Sequence, residues 1–111
     1  LDALVGIVDG IAMTNTLATI VTGLDGRALF DGQKRGICGR ATLSASLEQT
    51  RMFGELVRRR GDRVSLVGVG GASSAQDVRA YLEAGAESVH LATAAMLNPS
   101  IALQIREALR A

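Results

Sequence analysis

The stretch Val64–Ala95, VSLVGVGGASSAQDVRAYLEAGAESVHLATAA, decides the fold. Val64–Val69 is a short apolar run bounded by turn residues, the pattern of a strand buried on both faces. It runs directly into Gly70-Gly71-Ala72-Ser73-Ser74, a turn rich in small residues. Ala75–Ala84 then has helical spacing, with Val78, Tyr81 and Leu82 on its inner face. Ser73 or Ser74 can cap that helix, and Asp77 adds negative charge to its first turn. Gly85 closes it, and Ser88–Leu91 is the next buried strand. A strand–helix–strand unit of this length implies parallel pairing through a right-handed crossover.

The same alternation extends outward. Upstream, a helix runs from a cap at Ser44 to a glycine stop at Gly61, with Leu47, Met52, Phe53, Leu56 and Val57 on one face. The basic run Arg58-Arg59-Arg60 ends it, where cations complement exposed carbonyls. Ile11–Met13 is a first strand, entered from a helix end or lead-in turn over Leu1–Val8 and the turn Asp9-Gly10. Between them, about 17–43 reads as a long active-site loop or lid. Ile20-Val21 and Ala28-Leu29-Phe30 form a hairpin within it around Gly23–Gly26, and Asp25 and Asp31 are turn formers. Downstream, Asn98 caps a last helix that starts at Pro99 and carries Ile101, Ile105, Ala108 and Leu109.

The fold class is therefore α/β, with parallel strands and outer helices. Three parallel strands bury little, and a complete (β/α)8 barrel takes about 250 residues. Residues 1–111 read as about three βα units, the C-terminal portion of such a barrel with strands six to eight. Leu1, without a methionine and inside an apolar stretch, reads as a cut end.

Composition removes several classes. A net charge of +1 with interspersed signs gives no basic field for nucleic acid, and 3% aromatics leave few rings for stacking bases. No apolar run reaches the roughly 18 residues of a membrane helix, and no signal-peptide pattern is visible. The single Cys38 forms no internal disulfide, which fits a cytoplasmic setting. It reads as a small buried side chain, and the lone His90 as a satisfied structural histidine with no metal cluster around it. No metal site is expected.

Polar and glycine residues gather at the C-terminal end of every strand: Thr14-Asn15-Thr16, Gly70-Gly71-Ala72-Ser73 and Ala92-Thr93. In parallel βα architectures ligands bind at that rim. One helix and one strand separate Gly71 from Thr93, which puts them on adjacent loops. Glycine amides and a threonine hydroxyl there suit a phosphate, as after the last two strands of a barrel.

Three segments together resemble the dihydroorotate dehydrogenase family. They are Asp9–Thr16 (DGIAMTNT), the turn Gly36-Ile37-Cys38-Gly39, and Leu66–Met96 with its GVGGxSS…D…AGA…VxLxTA pattern. The resemblance runs from about Asp9 to Leu109, and other FMN barrels, such as the flavin domain of dihydropyrimidine dehydrogenase, share the pattern more loosely. It implies an FMN-dependent oxidation of dihydroorotate to orotate. Thr14 would lie against the flavin and Gly39 would touch it. Gly70, Gly71, Ala92 and Thr93 would hold the FMN phosphate. Asn15 and Thr16 would face the pyrimidine, whose edge an amide side chain matches with both a donor and an acceptor.

Three departures stand beside it. Ala41 replaces a proline that usually follows the loop glycine, and Cys38 replaces a serine or glycine. The family's catalytic base and flavin-facing lysine fall upstream of Leu1, and Lys34 is not at the lysine's position. No catalytic residue is therefore expected in this chain, and the remainder of the barrel or a partner chain would complete the site. Two alternatives stay open: a non-catalytic phosphate- or flavin-binding module, and another FMN barrel acting on a different pyrimidine. A homo-oligomer and the electron acceptor are equally undecided by sequence.

Overall fold

A computed structural model describes residues 1–111. Three strands form a parallel sheet in the order β1 (Gly10–Met13), β4 (Ser65–Val69), β5 (Ser88–His90). The register runs from Gly10 opposite Ser65 to Met13 opposite Gly68, and from Val67 opposite Ser88 to Val69 opposite His90. The remaining elements are β2 (Leu17–Ile20), β3 (Lys34–Ile37), α1 (Leu43–Arg60), α2 (Ala75–Glu83), α3 (Thr93–Leu97) and α4 (Ile101–Arg110). The α/β class and the parallel alternation expected from sequence are both present.

The stretch between β1 and α1 is more ordered than a loop. β2 and β3 pair antiparallel, Leu17 opposite Ile37 through Ile20 opposite Lys34. The hairpin around Gly23–Gly26 exists as the tip of this ribbon, where the Leu29 amide donates to Val21 and Thr22 bridges to Ala28. Its main ladder lies further out than the sequence suggested. Lys34-Arg35-Gly36-Ile37 carries no apolar alternation to betray a strand.

Helix ends differ in detail. Ser44 lies inside α1, not at its cap; the chain enters through a helical turn over Gly39–Thr42. Gly61 ends α1 in the left-handed conformation, as expected. Ser74 caps α2, its hydroxyl accepting from the Asp77 amide at 3.1 Å. α4 begins after Ser100, so Asn98 caps the turn before it, its Oδ1 accepting from the Ser100 amide.

The buried face of α1 also corrects the sequence expectation. Its fully buried residues are Ser46 and Thr50, whereas Met52 and Leu56 are exposed. The reason is close approach: the Ser46 hydroxyl donates to the Val69 carbonyl at 2.6 Å, and Thr50 donates back to Ser46. Small hydroxyls let the helix sit on the end of β4, which a leucine would hold away. On α2, Tyr81 is fully buried but Leu82 is exposed. Tyr81 packs with Ala72 and Ala86, and Leu43, Leu47, Val89 and Leu91 surround them. That packing depends on Gly68, where a Cβ would lie 2.3 Å from the Tyr81 ring.

Side chains alternate across the sheet, so Met13, Leu66 and Gly68 face the helices and are buried. Ala12 and His90 on the other face are exposed, and Val67 and Val69 are half-buried. Only 14 of 111 residues are buried, and the chain is a slab 19 Å thick. Its radius of gyration, 15.9 Å, exceeds the about 13 Å of a compact domain of this length. One sheet face has its helix layer and the other is open.

Candidate functional site

A cleft of about 410 Å³ opens at the C-terminal ends of the parallel strands. Asn15 and Thr16 reach it from β1, Cys38, Gly39 and Arg40 from β3, Val69–Ser73 from β4, and Ala92 and Thr93 from β5. Met96 and Leu97 of α3 add an apolar wall. Of the site residues read from sequence, seven line this one cleft: Asn15, Thr16, Gly39, Gly70, Gly71, Ala92 and Thr93. Thr14 does not. Its amide donates to the Val69 carbonyl at 2.7 Å and to Ser46 at 3.2 Å, and its buried hydroxyl has no partner within the chain.

The turns meet closely. A Cβ on Gly39 would lie 3.4 Å from the Thr93 methyl, and one on Gly71 would lie 2.7 Å from the Gly39 carbonyl oxygen. Gly70 and Gly71 both have positive φ, 135° and 71°, where side chains are strained. Tyr81 sets the orientation of the peptide between them. Its hydroxyl donates to the Gly70 carbonyl at 2.6 Å. The C=O and N–H of a trans peptide point in opposite directions, so the Gly71 N–H turns away from Tyr81 and the core. No hydrogen bond within the chain takes up the Gly70, Gly71 or Thr93 amide. A cradle with room for backbone but none for a Cβ, and with free amides, fits a phosphate group.

Charge at the site comes from a pair that sequence reading missed. The Arg40 Nη1 donates to the Asp77 Oδ2 at 2.5 Å, and that oxygen also accepts the Ser73 amide at 2.9 Å. Burial pushes the Asp77 carboxyl up, but the Ser73 amide, the Ser74 hydroxyl and the Arg40 guanidinium outweigh it and hold the carboxyl below its ordinary value. Burial pushes the Tyr81 phenol up. Arg40 and Asp77 are 37 residues apart, so no local motif announces them.

Two expectations change. Cys38 is exposed at the cleft, because the turn before Gly39 runs over the rim and not through a core. His90 is exposed and takes no hydrogen bond, because it points to the open face of the sheet. No group of three or more His, Cys, Asp or Glu could hold a metal ion. No helix is long and apolar enough to cross a membrane.

The site is a cleft at the strand ends of an α/β sheet, and comparison with known proteins gives the chain a family. The family model for dihydroorotate dehydrogenase matches residues 3–111, so the chain belongs to the dihydroorotate dehydrogenase family. It is 35% identical over 98 residues to the catalytic subunit of dihydroorotate dehydrogenase B (NAD+) of Oceanobacillus iheyensis, covering 87% of this chain and 31% of that protein. It is 33% identical over 105 residues to the dihydroorotate dehydrogenase (quinone) of Xanthobacter autotrophicus, covering 94% of this chain and 28% of the relative. Among solved structures it resembles the dihydroorotate dehydrogenase of Eimeria tenella in complex with ferulenol. That likeness has a TM-score of 0.70 at 24% identity and covers 91% of this chain and 26% of the other. The chain thus spans about a third of the length of the relatives it matches.

Proposed function

We propose that this chain is the C-terminal three-eighths of an FMN-binding (β/α)8 barrel that oxidises dihydroorotate to orotate in pyrimidine biosynthesis. The open face of the sheet then looks into the barrel, and the remaining βα units complete the wall. The observation that carries this reading is the convergence of Gly39, Gly70, Gly71 and Thr93 on one cleft, with no space for a Cβ at Gly71.

In this reading the Gly70, Gly71 and Thr93 amides hold the FMN phosphate, with Ala92 beside them. Gly39 touches the flavin, and Thr14 lies behind it. Asn15 and Thr16 are exposed at the cleft, where they meet the pyrimidine ring. Bound FMN supplies the hydride acceptor for the oxidation. The base that removes the substrate proton comes from residues outside this chain, because no titratable group of the cleft stands at the family's position for it. The protein works in the cytoplasm, with dihydroorotate as its small-molecule partner.

Flavin content tests the proposal. The full-length protein, purified and denatured, should release FMN in near-stoichiometric amount. A colourless protein that FMN does not reconstitute would overturn it. A flavoprotein that leaves dihydroorotate unreacted and reduces its flavin with another pyrimidine would retain the site and replace the substrate.

A further inference from the structure

We propose that Arg40 reads the charge of the ligand's phosphate and that Asp77 is the residue that positions it. This rests on the flavin-phosphate reading of the cleft and adds to it a residue that selects for the phosphate monoester.

Arg40 follows Gly39, the glycine packed against Thr93, and is the one guanidinium or ammonium group lining the cleft. A single nitrogen ties it down: Nη1 donates to Asp77 at 2.5 Å and reaches the Ser73 hydroxyl at 3.4 Å. Nε and Nη2 have no partner within the chain, and the side chain is 65% exposed. Asp77, by contrast, is buried, with 7% of its side chain exposed. It grips the guanidinium and the Ser73 amide with the same oxygen, so one carboxylate sets both the cation and the turn carrying Gly70 and Gly71.

The geometry therefore puts positive charge on the cleft side and negative charge behind it. Backbone amides bind phosphate oxygens but are neutral, and a phosphate monoester is close to a dianion at neutral pH. A guanidinium with two free donors at the edge of that cradle supplies the missing charge, in the forked geometry that phosphate oxygens accept. A surface ion pair alone would leave Arg40 little to do, since such pairs contribute little. Here a buried acid holds it at a ligand site.

The test compares FMN with riboflavin, which lacks the phosphate, by titrating the apo form of the full-length protein. Wild type should bind FMN the more tightly. Arg40→Gln should weaken FMN at least about tenfold, the size of one charged hydrogen bond, and leave riboflavin unchanged. Arg40→Lys should recover part of the preference. Asp77→Asn, which keeps the shape but releases the guanidinium, should lower the FMN-to-riboflavin ratio by less than Arg40→Gln does. Equal weakening of both flavins in Arg40→Gln, or no change in either, overturns the proposal while leaving the flavin site intact. An unchanged ratio in Asp77→Asn overturns its positioning role. A wild-type protein that binds neither flavin defeats the flavin reading and this one with it.

Discussion

Two neighbouring regions of this chain are built on opposite terms. In the β4–α2–β5 unit, contacts are so close that single methyl groups matter: a Cβ at Gly68 would lie 2.3 Å from the Tyr81 ring, and one at Gly70 would lie 2.7 Å from the Thr14 carbonyl. In the β2–β3 ribbon almost nothing is buried, Leu24 at its tip is fully exposed, and a Cβ at Gly26 or Gly32 would meet no atom within 4 Å. Both regions are rich in glycine. In one, glycine permits backbone to touch backbone and side chain; in the other, Gly26 and Gly32, both at positive φ, only let the chain turn. The difference shows where the chain has invested its specificity: at the strand ends that form the cleft.

Substitutions should separate the two regions by size of effect, all measured in the full-length protein. Gly68→Val forces Tyr81 out of its place and should cost at least about 3 kcal/mol, enough to lose the folded state in a chemical-denaturation series. A folded Gly68→Val protein with wild-type stability would show that Tyr81 does not pack on β4 as described. Gly71→Val should leave the protein without bound FMN, because the side chain would clash with the Gly39 carbonyl and Leu43 and strain a positive φ, displacing the turn whose amides would hold the phosphate. Retained flavin in that variant would remove the phosphate from this turn. Tyr81→Phe removes the hydroxyl that fixes the Gly70 carbonyl and should cost about 1 kcal/mol, with weaker FMN binding alongside. Ser74→Ala, which loses the α2 cap, should cost about 1 kcal/mol and leave flavin binding nearly intact. Leu24→Ser, at the ribbon tip, should change stability by less than about 0.5 kcal/mol.

Acid adds a further contrast. The Asp77 carboxyl is held below its ordinary value in the folded state, so its contribution to stability is present at neutral pH. It disappears as pH falls below the unfolded carboxylate value of about 3.9 and through the folded one. Asp77→Asn should therefore flatten the decline in stability on that acid limb, as followed by denaturant midpoints at a series of pH values. In the ribbon, Asp25 pairs with Arg27 in open solvent, where an ion pair contributes little to stability.

Much of the β4–α2–β5 unit was legible in the sequence. VSLVGV and SVHL are continuous apolar runs, and Ser74, Gly85 and the alternation between them mark the helix by chemistry that acts within a few residues. The rim was legible too, because parallel strands place their C-terminal ends together. The ribbon register was not, since Lys34–Ile37 is polar and glycine-containing and its pairing depends on a partner fourteen or more residues away. Ser46 and Thr50 look like surface residues in a helical pattern, and only contact with β4 makes them core. The Arg40–Asp77 pair is invisible for the same reason: two ordinary charged residues, 37 positions apart, acquire a role only when two loops meet.

The most direct test of the account is a crystal structure of the full-length protein with FMN bound. The phosphate should lie within hydrogen-bond distance of the Gly71 and Thr93 amides, with Gly39 against the flavin. A flavin whose phosphate sits at another rim, with Gly70-Gly71 making only a tight turn, would contradict it.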